Sequence, residues 1–218
     1  MNNNDIEKVI KACNDGADFC TFTESQKASM NFDNYFDLYQ KNEDVATQIQ
    51  FLKYNVELSI RGGDEEMRAD YLTELAMLYQ SIGDYKSAVP PLSEALDIKR
   101  QLLGVQHPKY AESLTNLAIV YYYLGDYQSA EPLFKESREI IRQVFGEQHP
   151  NYATSLNNLA NLYQDMADYK SAEPLYKECL EIIRKVYGKQ QPDYMINLLD
   201  KLANLYQEMG DYSSAEPL

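Results

Sequence analysis

Few residues of this chain belong to the types that catalysis or metal binding requires. There are two histidines, His107 and His149, in 218 residues, and each is followed by proline. Neither has a nucleophile or a second ligand at motif spacing, so a role in a turn is the better reading. Cys13 and Cys20 enclose six residues, which is not a zinc-ligand spacing, and no second pair follows. Cys179 stands where the surrounding pattern wants a small apolar residue, and packing explains it. Gly62-Gly63 lacks the lysine and the serine or threonine of a phosphate loop. Carboxylates abound: 34 acids against 20 bases give a net charge of −14. That balance repels phosphate backbones and anionic lipid, so direct nucleic-acid and membrane partners are not expected. No catalytic residue, metal or cofactor is expected either, and the chain reads as a non-enzyme.

What remains in quantity are phenols and carboxamides. There are 19 tyrosines and no tryptophan. Asparagine recurs at Asn116, Asn158, Asn161 and Asn204. A carboxamide donates and accepts at once, so a row of them can hold an extended peptide backbone. Asparagine is also a poor helix former, which asks for a reason wherever it recurs inside helices.

The elements that position these residues follow from an internal repeat. Gly83-Asp84-Tyr85 recurs as Gly125-Asp126-Tyr127, Ala167-Asp168-Tyr169 and Gly210-Asp211-Tyr212, in steps of 42, 42 and 43 residues. His107-Pro108 recurs as His149-Pro150 and, altered, as Gln191-Pro192. Glu131-Pro132-Leu133 recurs as Glu173-Pro174-Leu175 and Glu216-Pro217-Leu218. Each unit reads as two helices. In the third, Leu156, Leu159, Ala160 and Tyr163 share one helical face, and Ala172, Leu175, Tyr176, Cys179, Ile182 and Ile183 share the next. Proline suits the first turn of the first helix, glycine in a left-handed conformation ends it, and aspartate caps the second. The mid-helix proline should bend that second helix. One such pair cannot bury its own apolar face, whereas stacked neighbours can. Tyr79, Tyr121, Tyr163 and Tyr206 hold one place in successive first helices and Tyr85, Tyr127, Tyr169 and Tyr212 open the second ones, so both series read as inter-helix packing.

The stretches His149 to Tyr163 and Asp168 to Tyr176 resemble a tetratricopeptide repeat, in the 42-residue variety of kinesin light chains. The resemblance covers about residues 65 to 218. It implies an all-α fold, a right-handed α-α superhelical solenoid of helix-turn-helix repeats, whose first helices line a concave peptide groove and whose second helices form the back. Residues 1–64 read as a divergent N-terminal helical cap. Residues 65–218 read as the array, with repeats 66–107, 108–149, 150–191 and a truncated 192–218. Within the cap, Val45, Ile49, Leu52, Val56 and Ile60 make one amphipathic stripe that stops at Gly62-Gly63. Residues 5 to 13 read as a short helix, and the chain up to about 28 as loosely ordered.

Helical spacing then gives the partner-binding groove: Glu74, Met77, Glu112, Asn116, Ile119, Tyr122, Tyr123, Asn157, Asn158, Asn161, Asp165, Asp200, Lys201 and Asn204. The resemblance implies that Asn116 and Asn158 face a bound peptide. The acids here, with Lys201 as the one base, depart from the basic grooves of kinesin light chains, and a neutral or basic segment is the better match. The function expected is a protein–protein interaction module. The sequence stops at Leu218 inside a second helix that earlier copies continue, so a fragment of a longer protein is expected. On that footing the array is alternatively the sensor of a larger effector enzyme, for example a caspase-like peptidase, acting on a domain of its own full-length chain. A homo-oligomeric scaffold is the third reading. Met1-Asn2-Asn3-Asn4-Asp5 lacks the positive start and apolar core of a signal peptide, and a cytoplasmic location is expected.

Overall fold

Glycine and aspartate punctuate the described residues, 45–188 and 192–216 of a computed structural model, into helices. The expectations for residues 5 to 13 and up to 28 lie outside them. Two compact units divide between Asp84 and Tyr85.

In the first unit, α1 (Val45–Gly62) and α2 (Glu65–Ser81) form a pair. Leu52 packs with Tyr71, Leu75 and Leu78, and Val45, Ile49 and Val56 close over them. Ile60, on the same stripe by spacing, is 49% exposed. It falls in the last turn, where the chain leaves α1 through Gly63 (φ +71°). Asp64 caps α2 by accepting from the Met67 amide at 3.0 Å.

The second unit runs through α3 (Tyr85–Leu103), α4 (Pro108–Tyr123), α5 (Tyr127–Phe145), α6 (Pro150–Asp165), α7 (Tyr169–Tyr187), α8 (Pro192–Glu208) and α9 (Tyr212–Ala215). Each helix packs on its successor. The sequence signals act as expected at the ends. Pro108 and Pro150 occupy first turns, and the ring nitrogens Nδ1 of His107 and His149 accept from the amides of Lys109 and Asn151, both at 3.1 Å. The histidines are thus N-caps. Asp126, Asp168 and Asp211 accept from the amides of Ser129, Ser171 and Ser214 at 3.1, 3.3 and 3.2 Å. Helices α5 and α7 run through Pro132 and Pro174 without ending.

Alanine lets each pair approach closely: Ala118, Ala130, Ala160 and Ala172 are fully buried. Larger side chains fill the layers between, with Leu159 and Leu162 packed against Phe134, and Leu156, Tyr176, Cys179 and Ile183 against Leu198, Leu202 and Leu205. The fourth repeat has one residue more between Pro192 and Gly210 than the third has between Pro150 and Ala167, which calls for an irregular or shifted turn from Gln191 to Met195. Gln191 lies outside the described residues; residues 192 to 195 are helical, and α8 takes up the extra residue by running to 17 residues where α4 and α6 have 16. Tyr194, Leu198, Leu202 and Leu205 stay on one face because a step of four replaces a step of three.

A polar clip joins successive units. The Tyr163 hydroxyl donates to Glu131 at 2.8 Å, Glu131 pairs with Lys135 at 2.6 Å, and that ammonium lies 5.8 Å from the Tyr163 ring. Tyr206, Glu173 and Lys177 repeat the arrangement at 2.9, 2.6 and 5.7 Å. One repeat earlier, Val89 and Ser93 take the places of the acid and the base. The lysine and tyrosine donors hold the Glu131 and Glu173 carboxyls below their ordinary range. A lowered carboxyl contributes stability above its unfolded value and loses it as pH falls through the folded one. Stability is therefore expected to decline below about pH 4.5, and Glu131→Gln/Glu173→Gln to flatten that decline while costing under about 1 kcal/mol per site. Thermal melts between pH 3 and 7 read both effects.

Ala167 (φ +58°) stands where its counterparts are Gly83, Gly125 and Gly210, at φ +77°, +75° and +73°. A Cβ in the left-handed region costs about 1 kcal/mol. Ala167→Gly is expected to raise the melting midpoint by about 2–4 °C.

Candidate functional site

The first helices of the second unit carry the predicted residues on one exposed side. On α4, Glu112 and Tyr123 are exposed, while Asn116, Ile119 and Tyr122 are half-buried. On α6, Asn157, Asn158 and Asn161 are half-buried and Asp165 is exposed. On α8, Asp200 and Asn204 are exposed and Lys201 is half-buried. Glu74 and Met77 belong to α2 in the first unit. Burial and the neighbouring Asp70 carboxylate push the Glu74 carboxyl above its ordinary range, and Met77 is 59% exposed.

Hydrogen bonds cross between these helices. Tyr122 donates its hydroxyl to Asp165, and burial together with that carboxylate holds the phenol well above the tyrosine range. Gln164 donates to Glu208 at 3.0 Å. Lys201 donates to Asn157 at 3.0 Å, and burial pulls its ammonium below the usual lysine range. The Tyr176 hydroxyl sits 2.7 Å from Asn161 Oδ1 and 2.8 Å from Gln164 Oε1. A phenol has one hydrogen, so one of those amides presents its NH2 to the phenol oxygen instead. Asn157 and Asn161 are thus engaged within the protein. Among the described residues, the side chains of Asn116, Asn158 and Asn204 make no hydrogen bond.

Charge is distributed unevenly. On the second helices Lys135, Arg142 and Lys177 pair with Glu131, Glu139 and Glu173 of their own helix, at 2.6, 2.7 and 2.6 Å. Among the described residues no base pairs with Glu112, Asp165, Asp200 or Glu208 on the first helices.

Two pockets open on this side. The larger, of about 270 Å3, is mainly apolar. Pro108, Lys109, Glu112 and Thr115 of α4 form one wall, and Asn151, Thr154, Ser155 and Asn158 of α6 the other. Its floor is Ile141 and Phe145 from the last turns of α5, with the Phe145 ring stacked 4.6 Å from His149. The smaller, of about 130 Å3, is walled by Ile119, Tyr122, Tyr123 and Phe134 with Asn158 and Asn161. Tyr123 stacks on Tyr85 at 4.8 Å and meets Tyr122 edge-on at 5.3 Å. Reading only first helices missed Ile141 and Phe145. The available signal was the run Ile140-Ile141 with Val144-Phe145, wider than one packed stripe needs.

Among the described residues no three His, Cys, Asp or Glu side chains come together as a metal site. None of the described helices is long and apolar enough to cross a membrane.

The tetratricopeptide repeat family model matches residues 67–140, 114–185 and 156–218. The model of anaphase-promoting complex subunit 5 matches residues 18–103. No curated protein matches the sequence. Among solved structures, BtubC (BKLC) from P. vanneervenii superposes with a TM-score of 0.76 at 22% identity, over 99% of this chain and 84% of that one. A putative kinesin light chain from Podosopora anserina with nearly identical TPR-like repeats gives 0.70 at 26% identity, over 82% and 85%. The apo form of RapI gives 0.71 at 19% identity, over 98% of this chain and 56% of that one.

Proposed function

The chain belongs to the tetratricopeptide repeat family, in the 42-residue, kinesin-light-chain-like variety, and from that premise we propose that it captures an extended peptide segment, neutral or basic, on the first-helix side of α4, α6 and α8. The family is one of protein–protein interaction modules, and the reading assigns this chain binding rather than catalysis. Residues 65–218 would carry the array and 1–64 cap it. The observation that carries the reading is the pair of unengaged amides, Asn116 and Asn158, set among four first-helix acids that no base neutralises. An amide at each position can donate to a peptide carbonyl and accept from a peptide N–H. The acids favour a cationic segment and speed its encounter.

Fluorescence anisotropy with a mixed library of extended peptides tests this. Neutral and basic peptides are expected to bind and acidic ones to fail. Asn116→Ala/Asn158→Ala is expected to weaken binding about tenfold or more, with the melting midpoint unchanged or raised, since alanine is the better helix former. Equal binding by wild type and the double variant would sink the reading.

A further inference from the structure

Asn158 lines both pockets, so the larger apolar pocket and the smaller tyrosine-walled one adjoin across a single carboxamide. The two differ in chemistry. The larger one has an apolar floor, Ile141 and Phe145, and suits an aliphatic or aromatic side chain. The smaller one offers the rings of Tyr122, Tyr123 and Phe134, and Asp165 accepts from the Tyr122 hydroxyl beside it. A planar cation is attracted to aromatic faces and to a neighbouring carboxylate, and guanidinium satisfies both better than ammonium.

We propose that these two subsites read a peptide at two positions, an apolar side chain in the α4–α5–α6 pocket and an arginine against Tyr122 and Tyr123, with Asn158 holding the backbone between them. The proposal rests on the peptide-capture reading above and adds its recognition rule. The spacing follows from the helices. Pocket midpoints lie about five residues apart along α6 and about ten along α4, which at ~1.5 Å per residue is about 7 to 15 Å. An extended chain advancing ~3.3 Å per residue covers that in about two to four residues. Both side chains must also point at the same side, which favours the even spacings of a pleated chain.

The test uses peptides with one leucine and one arginine separated by one to six positions, in both orders, in an otherwise Gly/Ser/Asn background. Tightest binding is expected at a separation of two to four in at least one order. Leu→Ala or Arg→Gln in the best peptide should each raise Kd at least tenfold. Asn151→Trp, at an exposed position on the rim of the larger pocket, should abolish the gain from leucine and leave the gain from arginine. Tyr123→Ala, also exposed, should do the reverse. Circular dichroism checks that both variants remain folded. If peptides bind but affinity ignores spacing, or if both variants weaken every peptide alike, the two-subsite rule is wrong while peptide capture stands. If no peptide binds the wild type, the capture reading itself fails.

Discussion

Tyr176→Ala is expected to cost about 3 to 5 kcal/mol and to lower the melting midpoint by about 6 to 20 °C. Tyr176 is the largest of the fully buried side chains, 1% exposed, and packs between α6 and α8. Truncation removes the ring and leaves a cavity that three helices border, so little collapse can refill it. Tyr176→Phe separates ring from hydroxyl. It keeps the packing and removes only the bonds to Asn161 and Gln164, whose amides are half-buried and can turn to water. Its cost should therefore be about 1 kcal/mol. Urea titrations of the two variants check the ratio. Equal losses would place the stabilisation in the hydroxyl network instead of the ring.

A thiol reagent should find Cys179 at least a hundredfold more slowly in the folded protein than in the unfolded chain. Burial pushes this thiol up from an ordinary 9.0 to about 11, and the side chain has no exposed surface. At any pH below both values the folded thiol carries about a hundredth of the thiolate, and thiolate is the species that reacts. Occlusion by α8 slows it further. Iodoacetamide labelling at pH 8, with and without urea, followed by mass analysis of the peptide that contains Cys179, gives the ratio. Comparable rates would mean that α7 and α8 part on the labelling timescale.

The repeat made most of the second unit legible. A motif fixed at 42-residue steps identifies helices, caps and the left-handed turn together, and Ala167 could be placed at φ > 0 by comparison with its glycine counterparts. The His-Pro pairs were legible as turns, though the ring nitrogen as the actual cap acceptor needed coordinates. The candidate site was legible as a list of residues on one helical face and no further. Periodicity assigns a residue to a face, but it does not say that Lys201 reaches Asn157, that Tyr122 reaches Asp165, or that Tyr176 ties up Asn161. The first two links depend on the offset between successive first helices and the third on how α7 lies against α6, neither of which a single helix encodes. The pocket floor was missed for a related reason: Ile141 and Phe145 sit on a second helix and reach the site only from its last turns. Ile60 illustrates the opposite error, since it shares the stripe by spacing and is nevertheless 49% exposed.

Every helix of the second unit packs on its successor, and the paired subsites lie between one first helix and the next. Such an architecture can grow by tandem duplication. A copied 42-residue unit brings its own caps, its own alanine contacts and a fresh interval between first helices, and its neighbours need not change. On the proposed peptide-capture reading, each added interval would be a further place to hold one partner chain. Once the first residues of that chain are bound, the rest are presented at an effective concentration far above that in solution, so modest individual contacts multiply into a long residence time. Selection on copy number alone would then tune affinity, while substitutions on the first-helix side tune which partner is kept.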